Sequence, residues 1–248
     1  MHSALKRVAL ATGLYRPARL LHRAITPSER KAFREGVQFY SQFIRPGDLC
    51  FDIGANIGTK TEMFLALGAR VISVEPQPEP AREIRARTTS YGTKCAVVES
   101  AIGESEGRAT LQLKRDSELA SLVDEWVLPT TGTLEVQITT LDKLIGRFGE
   151  PQFIKIDVEG YELQTLRGLS RRIKFVSLEY HCDDYCTAMA RECIDLIRGH
   201  GPVEINATGG DDHSLLLPQW IKGDEFSGRF PICVSPHFRG DLIVRAVT

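Results

Sequence analysis

The sequence predicts an open α/β sheet, mostly parallel, with right-handed crossovers. Three observations carry this. From Leu49 onward, short apolar runs alternate with segments whose apolar residues recur at helical spacing. The first run closes on a glycine-rich turn, FDIGANIG at 51–58. Later runs end on acids, namely Glu75, Glu99, Asp157 and Glu179. In open α/β sheets ligands lie beyond the carboxyl ends of the strands, so polar strand ends mark where a site belongs.

Each element follows from its own stretch. LCFDI is a short apolar run stopped by glycines, which suits a buried parallel strand. TKTEMFLALG places Met63, Phe64 and Leu67 at helical spacing, and Gly68 ends it. RVISVEP is a second buried strand closed by Pro76, PEPAREIRARTTSYG an exposed helix, and CAVVESAIG a third strand. ATLQLK and the alternating EVQITT predict a hairpin beside the main sheet. LDKLIGRFG is a short helix, QFIKIDVEG a fourth strand, and YELQTLRGL the helix after it. KFVSLEYH is a fifth strand, YCTAMARECIDLIRGHG a helix, and VEINAT and DLIVRAVT the closing strands. No repeat, low-complexity tract or linker divides the chain. The expected organisation is an N-terminal helical extension over 1–45 and a single domain over 46–248.

Composition narrows the function classes. At 248 residues the chain has room for one large core. Its formal net charge of -1 gives no global electrostatic case for nucleic acid. The six cysteines (Cys50, Cys95, Cys182, Cys186, Cys193, Cys233) form no CxxC pair, which fits reduced thiols in a cytoplasmic protein. No apolar run reaches the ~20 residues that span a bilayer. The N-terminus carries Lys6, Arg7, Arg16, Arg19, Arg23 and Arg30 among Leu and Val. Two readings stand for it: a helix packed on the core, or a basic amphipathic helix in weak contact with a membrane or an acidic partner.

The strand ends carry the chemistry. Gly54 allows a tight turn and close approach of the backbone to a ligand, and Gly58 lets the next helix start against the sheet. Asn56 stands where a dinucleotide fold has the glycine that admits pyrophosphate, and Asp52 would repel a phosphate. Glu75, about 20 residues beyond the turn, is placed to accept from ribose hydroxyls, which a dinucleotide and an adenosyl cofactor share. Ser100 and Ala101 fall where an adenine would be bordered. Asp157 and Glu159 alternate along the chain and so share one side of an extended segment. Glu179 and His181 end the fifth strand.

The set FDIGANIG, VISVEPQPE, TTLDKLI, FIKIDVEGYELQTLRGL and SLEYH resembles the FkbM-type family of S-adenosylmethionine-dependent methyltransferases. The likeness runs from about Pro46 to Glu179 and returns at the closing GDLIV. It implies a class I methyltransferase (Rossmann-like) fold, with a seven-stranded sheet, helices on both faces and the last strand antiparallel. Carried residue by residue, it makes Asp52, Gly54, Asn56 and Gly58 the turn holding the methionine part of S-adenosyl-L-methionine. It makes Glu75 the ribose acceptor, Ser100 and Ala101 the border of the adenine, and Asp157 a residue facing cofactor and acceptor, with Glu159 beside it. A sulfonium cation without phosphate suits a turn rich in acids.

The resemblance further implies methyl transfer to a hydroxyl of a small molecule or sugar, from a secondary metabolite or a glycan. A hydroxyl acceptor profits from a general base, and the candidates are His181, then Glu159 and Asp157. No metal is assigned. The rival readings are an N-methyltransferase, a nucleic-acid methyltransferase, an NAD-dependent oxidoreductase and a non-catalytic binding module.

Overall fold

The computed structural model of the chain describes residues 26–114, 120–123, 130–181, 184–209, 213–226 and 239–247. The basic segment before Thr26 lies outside the described residues. The described chain begins with helix α1 (Pro27–Tyr40), then strand β1 (Leu49–Ile53), α2 (Thr59–Ala66), β2 (Arg70–Val74), α3 (Pro78–Thr88) and β3 (Cys95–Val98). Next come β4 (Ala101–Ile102), β5 (Gly107–Leu113), β6 (Gly132–Thr139), α4 (Leu141–Phe148), β7 (Phe153–Ile156) and α5 (Glu162–Arg167). The chain closes with β8 (Phe175–His181), α6 (Asp184–Arg198), β9 (Val203–Ala207), β10 (Ile221–Lys222) and β11 (Arg239–Ala246).

The main sheet has eight strands in the order β10-β9-β11-β8-β7-β1-β2-β3. Strands β3, β2, β1, β7 and β8 run parallel, and β11 enters antiparallel between β8 and β9. The expected count is seven and the sheet has eight; the last strand, β11, is antiparallel to its neighbours. The eighth is β10, a two-residue edge strand against β9 that carries too little pattern to read from sequence.

The strands are apolar on both faces because helices cover both. On one face Phe51, Ile53, Ile72, Val74, Ile154, Ile156, Val176 and Leu178 pack with Leu141, Leu144 and Ile145 of α4 and Ile194 and Ile197 of α6. On the other, Cys50, Val71 and Phe153 meet Phe39 and Tyr40 of α1, Phe43, and Met63, Phe64 and Leu65 of α2. Tyr40, Phe64 and Phe153 meet edge-to-face, with centroids 4.9 Å and 5.6 Å apart for the two Phe64 pairs. Burying one such side chain contributes about 1.5–3 kcal/mol. Helix α1 is thereby tied to the sheet rather than lying loosely on it.

Two elements differ from expectation. CAVVESAIG is not one strand: β3 stays in the main sheet, while β4 pairs in parallel with β6 in a separate three-stranded sheet, β4-β6-β5. The Ser100 hydroxyl lies 2.8 Å from the Gln137 carbonyl and 2.9 Å from that of Ala101, which fixes the break. The β5–β6 pair forms the predicted hairpin within this small sheet. Helix α3 is not simply exposed. It buries Ala81, Glu83, Ile84 and Arg87, with the Arg87 guanidinium 2.6 Å from Glu83 Oε1.

Candidate active site

One polar row crosses the sheet just short of the strand ends. Ser73, Asp52, Lys155 and Ser177 stand opposite one another on β2, β1, β7 and β8. All four are buried. A charge inside so apolar a strand as FIKI must be paired, and Lys155 is: its Nζ lies 2.8 Å from Asp157 Oδ2 and 3.8 Å from Asp241 Oδ1. Asp52 accepts from the Thr61 hydroxyl of α2 at 2.6 Å, and that hydroxyl lies 2.8 Å from Ser73 Oγ. Burial raises the Asp52 carboxyl above its usual range, against the Thr61 hydrogen bond and the Lys155 charge.

The glycine turn folds directly over this row. Gly54 has φ 75°, and a Cβ there would come within 1.7 Å of the Asp157 carbonyl oxygen. The close approach at Gly54 is made to the β7 backbone, where the sequence reading places a ligand, and it brings the first and fourth strand ends together. Gly58, at φ 79°, starts α2 against Ile84, and a Cβ would sit 3.1 Å from that side chain. Asn56 adopts φ 44° and donates its backbone N–H to Glu75 Oε2 at 2.9 Å. The other Glu75 oxygen accepts from Gln77 N at 2.8 Å. Burial pushes the Glu75 carboxyl up to about 7 despite these two donors and a third from the Gln77 side chain. A carboxylate has about four acceptor sites, so one is left.

Two adjoining spaces result. The first is a narrow cleft of roughly 50 Å³ lined by Ile53, Val74, Glu75, Ser100, Ala101, Leu111, Leu122 and Tyr161. Its walls are mainly apolar, with Glu75, Asp157 and Glu159 as the carboxylates that border it. Ser100 borders it as expected, although its hydroxyl is engaged with the hairpin backbone. The second is a chamber of roughly 450 Å³ lined by Asp52, Lys60, Lys155, Asp157, Glu159, Glu179, Arg239 and Asp241. Gly54, Asn56, Asp157 and Glu159 border both spaces.

At the shared wall, Asp157, Glu159 and Glu179 each present an oxygen within 4.8 Å of the others. Burial raises the Asp157 carboxyl, but Lys155 and hydrogen bonds from Lys155 and Glu179 bring it below its usual value. Glu179 is held well above its usual value by burial and by the charges of Asp157 and Glu159. Of the two, Glu179 holds a proton the more readily and is the donor to Asp157. Burial would lower Lys155, yet Asp157 and Asp241 hold it well above the usual lysine range. A hard cation accepts such an oxygen set, and the Lys155 ammonium already supplies part of the countercharge.

Asp157 and Glu159 reach this wall, though not by strand alternation. β7 ends at Ile156, and Glu159 turns left-handed at φ 53° with Gly160 at φ 93°. A non-glycine residue in that region costs on the order of 1–3 kcal/mol. Two contacts hold it: Ser121 Oγ donates to the Glu159 carbonyl at 2.6 Å, and Glu162 Oε1 accepts from Val158 N and Gly160 N at 3.1 and 3.3 Å. Burial pushes Glu162 up to about 7, and its Oε2 is buried without a hydrogen-bond partner. His181 ends β8 opposite Arg239. Its side chain lies outside the described residues.

Sequence reasoning missed Lys155, Asp241, Glu162 and Ser121 as parts of the site. Lys155 had a signal, the lone charge within FIKI. Asp241 and Ser121 had none, since each arrives from a distant stretch of chain.

The model of the methyltransferase FkbM domain matches residues 52–201. The 31-O-demethyl-FK506 methyltransferase FkbM of Streptomyces tacrolimicus is 29% identical over 224 residues, 74% of this chain and 81% of that protein. The hexuronic acid methyltransferase AglP of Haloferax volcanii is 26% identical over 139 residues, 54% of this chain and 56% of that protein. Among solved structures, the O-methyltransferase TomG of Streptomyces achromogenes in complex with SAM aligns over 97% of this chain and 90% of its own, with 9% identity and a TM-score of 0.46.

Proposed function

Because the chain belongs to the FkbM methyltransferase family, we propose that it uses S-adenosyl-L-methionine to methylate a hydroxyl of a small molecule or sugar. The observation that carries this is the pairing of an apolar cleft, closed at one end by Glu75, with an acid-walled chamber that meets it at Gly54 and Asp157. An adenosine fits the first in chemistry: apolar walls for the base and a buried carboxylate with an acceptor site left for a ribose hydroxyl. A sulfonium fits the junction, where the ionised Asp157 stands. A pyrophosphate fits neither, because Asn56 occupies the place of the admitting glycine and acids surround the turn. The relatives named for a 31-O-demethyl substrate and for hexuronic acid support a polyketide-like or sugar acceptor.

When bound, the cofactor supplies a methyl group on a cationic sulfur. The chain supplies the rest. Ile53, Val74 and Leu122 exclude water from the nucleoside side, and Glu75 orients the ribose. The chamber admits the acceptor from the side of β8 and β11. The proton of its hydroxyl passes to a base there as the oxygen attacks. Asp157 is kept ionised by Lys155 and accepts from Glu179, so this carboxylate pair carries a single proton and has room for a second. Glu159 stands beside the pair, and His181 ends the adjoining strand as the third candidate.

Incubation of the protein with radiolabelled S-adenosyl-L-methionine and extracts of its source cells, with identification of the labelled product, tests the reading. A labelled low-molecular-weight ether is expected. Label found only in nucleic acid, or in no fraction, contradicts it. Alanine at Asp157, Glu159 and His181 then sorts the base: the residue whose loss abolishes turnover while S-adenosylhomocysteine still binds is the proton acceptor.

A further inference from the structure

The chamber holds a cation that its own acids leave unclaimed. Lys60, in the first turn of α2, lines it with Asp52, Asp157 and Glu179. Among the described residues Lys60 makes no ion pair, and its Nζ lies over the Tyr40 ring, 5.9 Å from the centroid. The acids nearby are committed elsewhere, Asp52 to Thr61 and Asp157 to Lys155. Lys60 still lies within electrostatic reach of both, because its charge favours their ionised forms. The first turn of α2 adds amide donors that no side-chain cap occupies, since Gly58 precedes it.

An α-amino acid head is a zwitterion. A subsite for it pairs an acceptor for the ammonium with donors for the carboxylate, of which an unpaired cation is the strongest. The junction has the first in Asp157 and the second in Lys60, both next to the turn that borders the nucleoside cleft. Arg239 is the other cation of the chamber without an ion pair among the described residues, but it enters from β11, three places from β1 in the sheet. It belongs to the far side, away from the turn.

We propose that Lys60 binds the α-carboxylate of the methionine part of the cofactor, with Asp157 facing the ammonium. This rests on the cofactor reading above. It is a role for this chain's lysine that the glycine turn alone does not confer.

Calorimetric titration of the intact chain tests it with three ligands. S-adenosylhomocysteine carries the whole amino acid head, its decarboxylated analogue keeps only the amine, and 5′-methylthioadenosine has neither. K60Q is expected to weaken S-adenosylhomocysteine by about tenfold or more. It should leave 5′-methylthioadenosine within about twofold. The decarboxylated analogue should bind both proteins alike, since removing the carboxylate and removing its partner are one loss and do not add. K60R should restore much of the affinity, and R239Q should leave it unchanged. Equal weakening of S-adenosylhomocysteine and 5′-methylthioadenosine by K60Q, or no weakening of either, overturns the assignment. Failure of the unmodified protein to bind S-adenosylhomocysteine overturns the cofactor reading itself and this assignment with it.

Discussion

The two spaces at the strand ends are built from opposite materials. The cleft proposed for the nucleoside is walled by Ile53, Val74, Ala101, Leu111 and Leu122, with Glu75 among them and Asp157 and Glu159 at the side it shares with the chamber. The chamber beside it is walled by Asp52, Lys60, Lys155, Asp157, Glu159, Glu179, Arg239 and Asp241. The first can recognise a base by shape and exclusion of water, and it needs few exact contacts. The second recognises and moves charge, so its groups must be paired, braced and strained into place. A family that keeps one cofactor and changes acceptors is served by such a division, with constancy on the apolar side and adjustable charge on the other.

The place where the two spaces touch should be the most sensitive to change. G54A puts a methyl group 1.7 Å from the Asp157 carbonyl at a φ of 75°. The turn and the β7 end cannot then coexist, and a loss of more than about 4 kcal/mol is expected, read by denaturant unfolding. Near-normal stability in G54A would show that the junction yields more than its geometry implies. Next in size is the charged side. K155M leaves Asp157 and Asp241 without their buried cation, which should cost about 3–5 kcal/mol. K155M/D157N should recover part of that, because the stranded charge is gone.

The apolar side should respond more gently and with a characteristic pH dependence. Glu75 stands at about 7 in the fold against an ordinary value of 4.5. Between those values the folded state holds a proton that the unfolded chain has released. Its contribution to stability is therefore complete below 4.5 and lost as pH rises through about 7. Cofactor affinity should run the other way, since ribose hydroxyls donate to the ionised form. S-adenosylhomocysteine should bind more tightly as pH passes upward through about 7, and E75Q should flatten that rise while weakening binding by about 1–3 kcal/mol. An unchanged pH dependence in E75Q would remove Glu75 from the ribose subsite. The smallest effect is expected at the brace. S121A removes the donor to the Glu159 carbonyl at 2.6 Å and should cost about 1 kcal/mol, seen as faster amide exchange over 158–160 rather than as loss of fold.

The same contrast explains what could be read from the chain. The parallel sheet was legible because LCFDI, RVISV and FIKI are apolar on both faces, and that pattern is local. The break at Glu99–Ser100 was not, because it depends on a hydroxyl meeting Gln137, 37 residues away. Along the apolar cleft, Gly54, Asn56 and Glu75 follow one strand and the next, so their nearness to one another was legible from spacing. On the charged side only Asp157 and Glu159 were legible, both adjacent to β7, and even there the extended-segment reasoning failed at the left-handed Glu159. Asp241 arrives on an antiparallel strand some eighty residues later, and nothing in DLIV announces that it faces Lys155. Chemistry confined to consecutive strand ends is written locally, whereas chemistry assembled by topology is not. Among the described residues no helix is long and apolar enough to cross a membrane.

The central claim is that the junction of these spaces takes a phosphate-free adenosyl cofactor. Thermal unfolding of the intact chain in the presence of S-adenosylhomocysteine or NAD, each in large excess, tests it most directly. A ligand at about 100 times its Kd adds roughly 2.7 kcal/mol to the folded state. The expected result is a clear rise in Tm with S-adenosylhomocysteine and none with NAD, and stabilisation by NAD alone would contradict the claim.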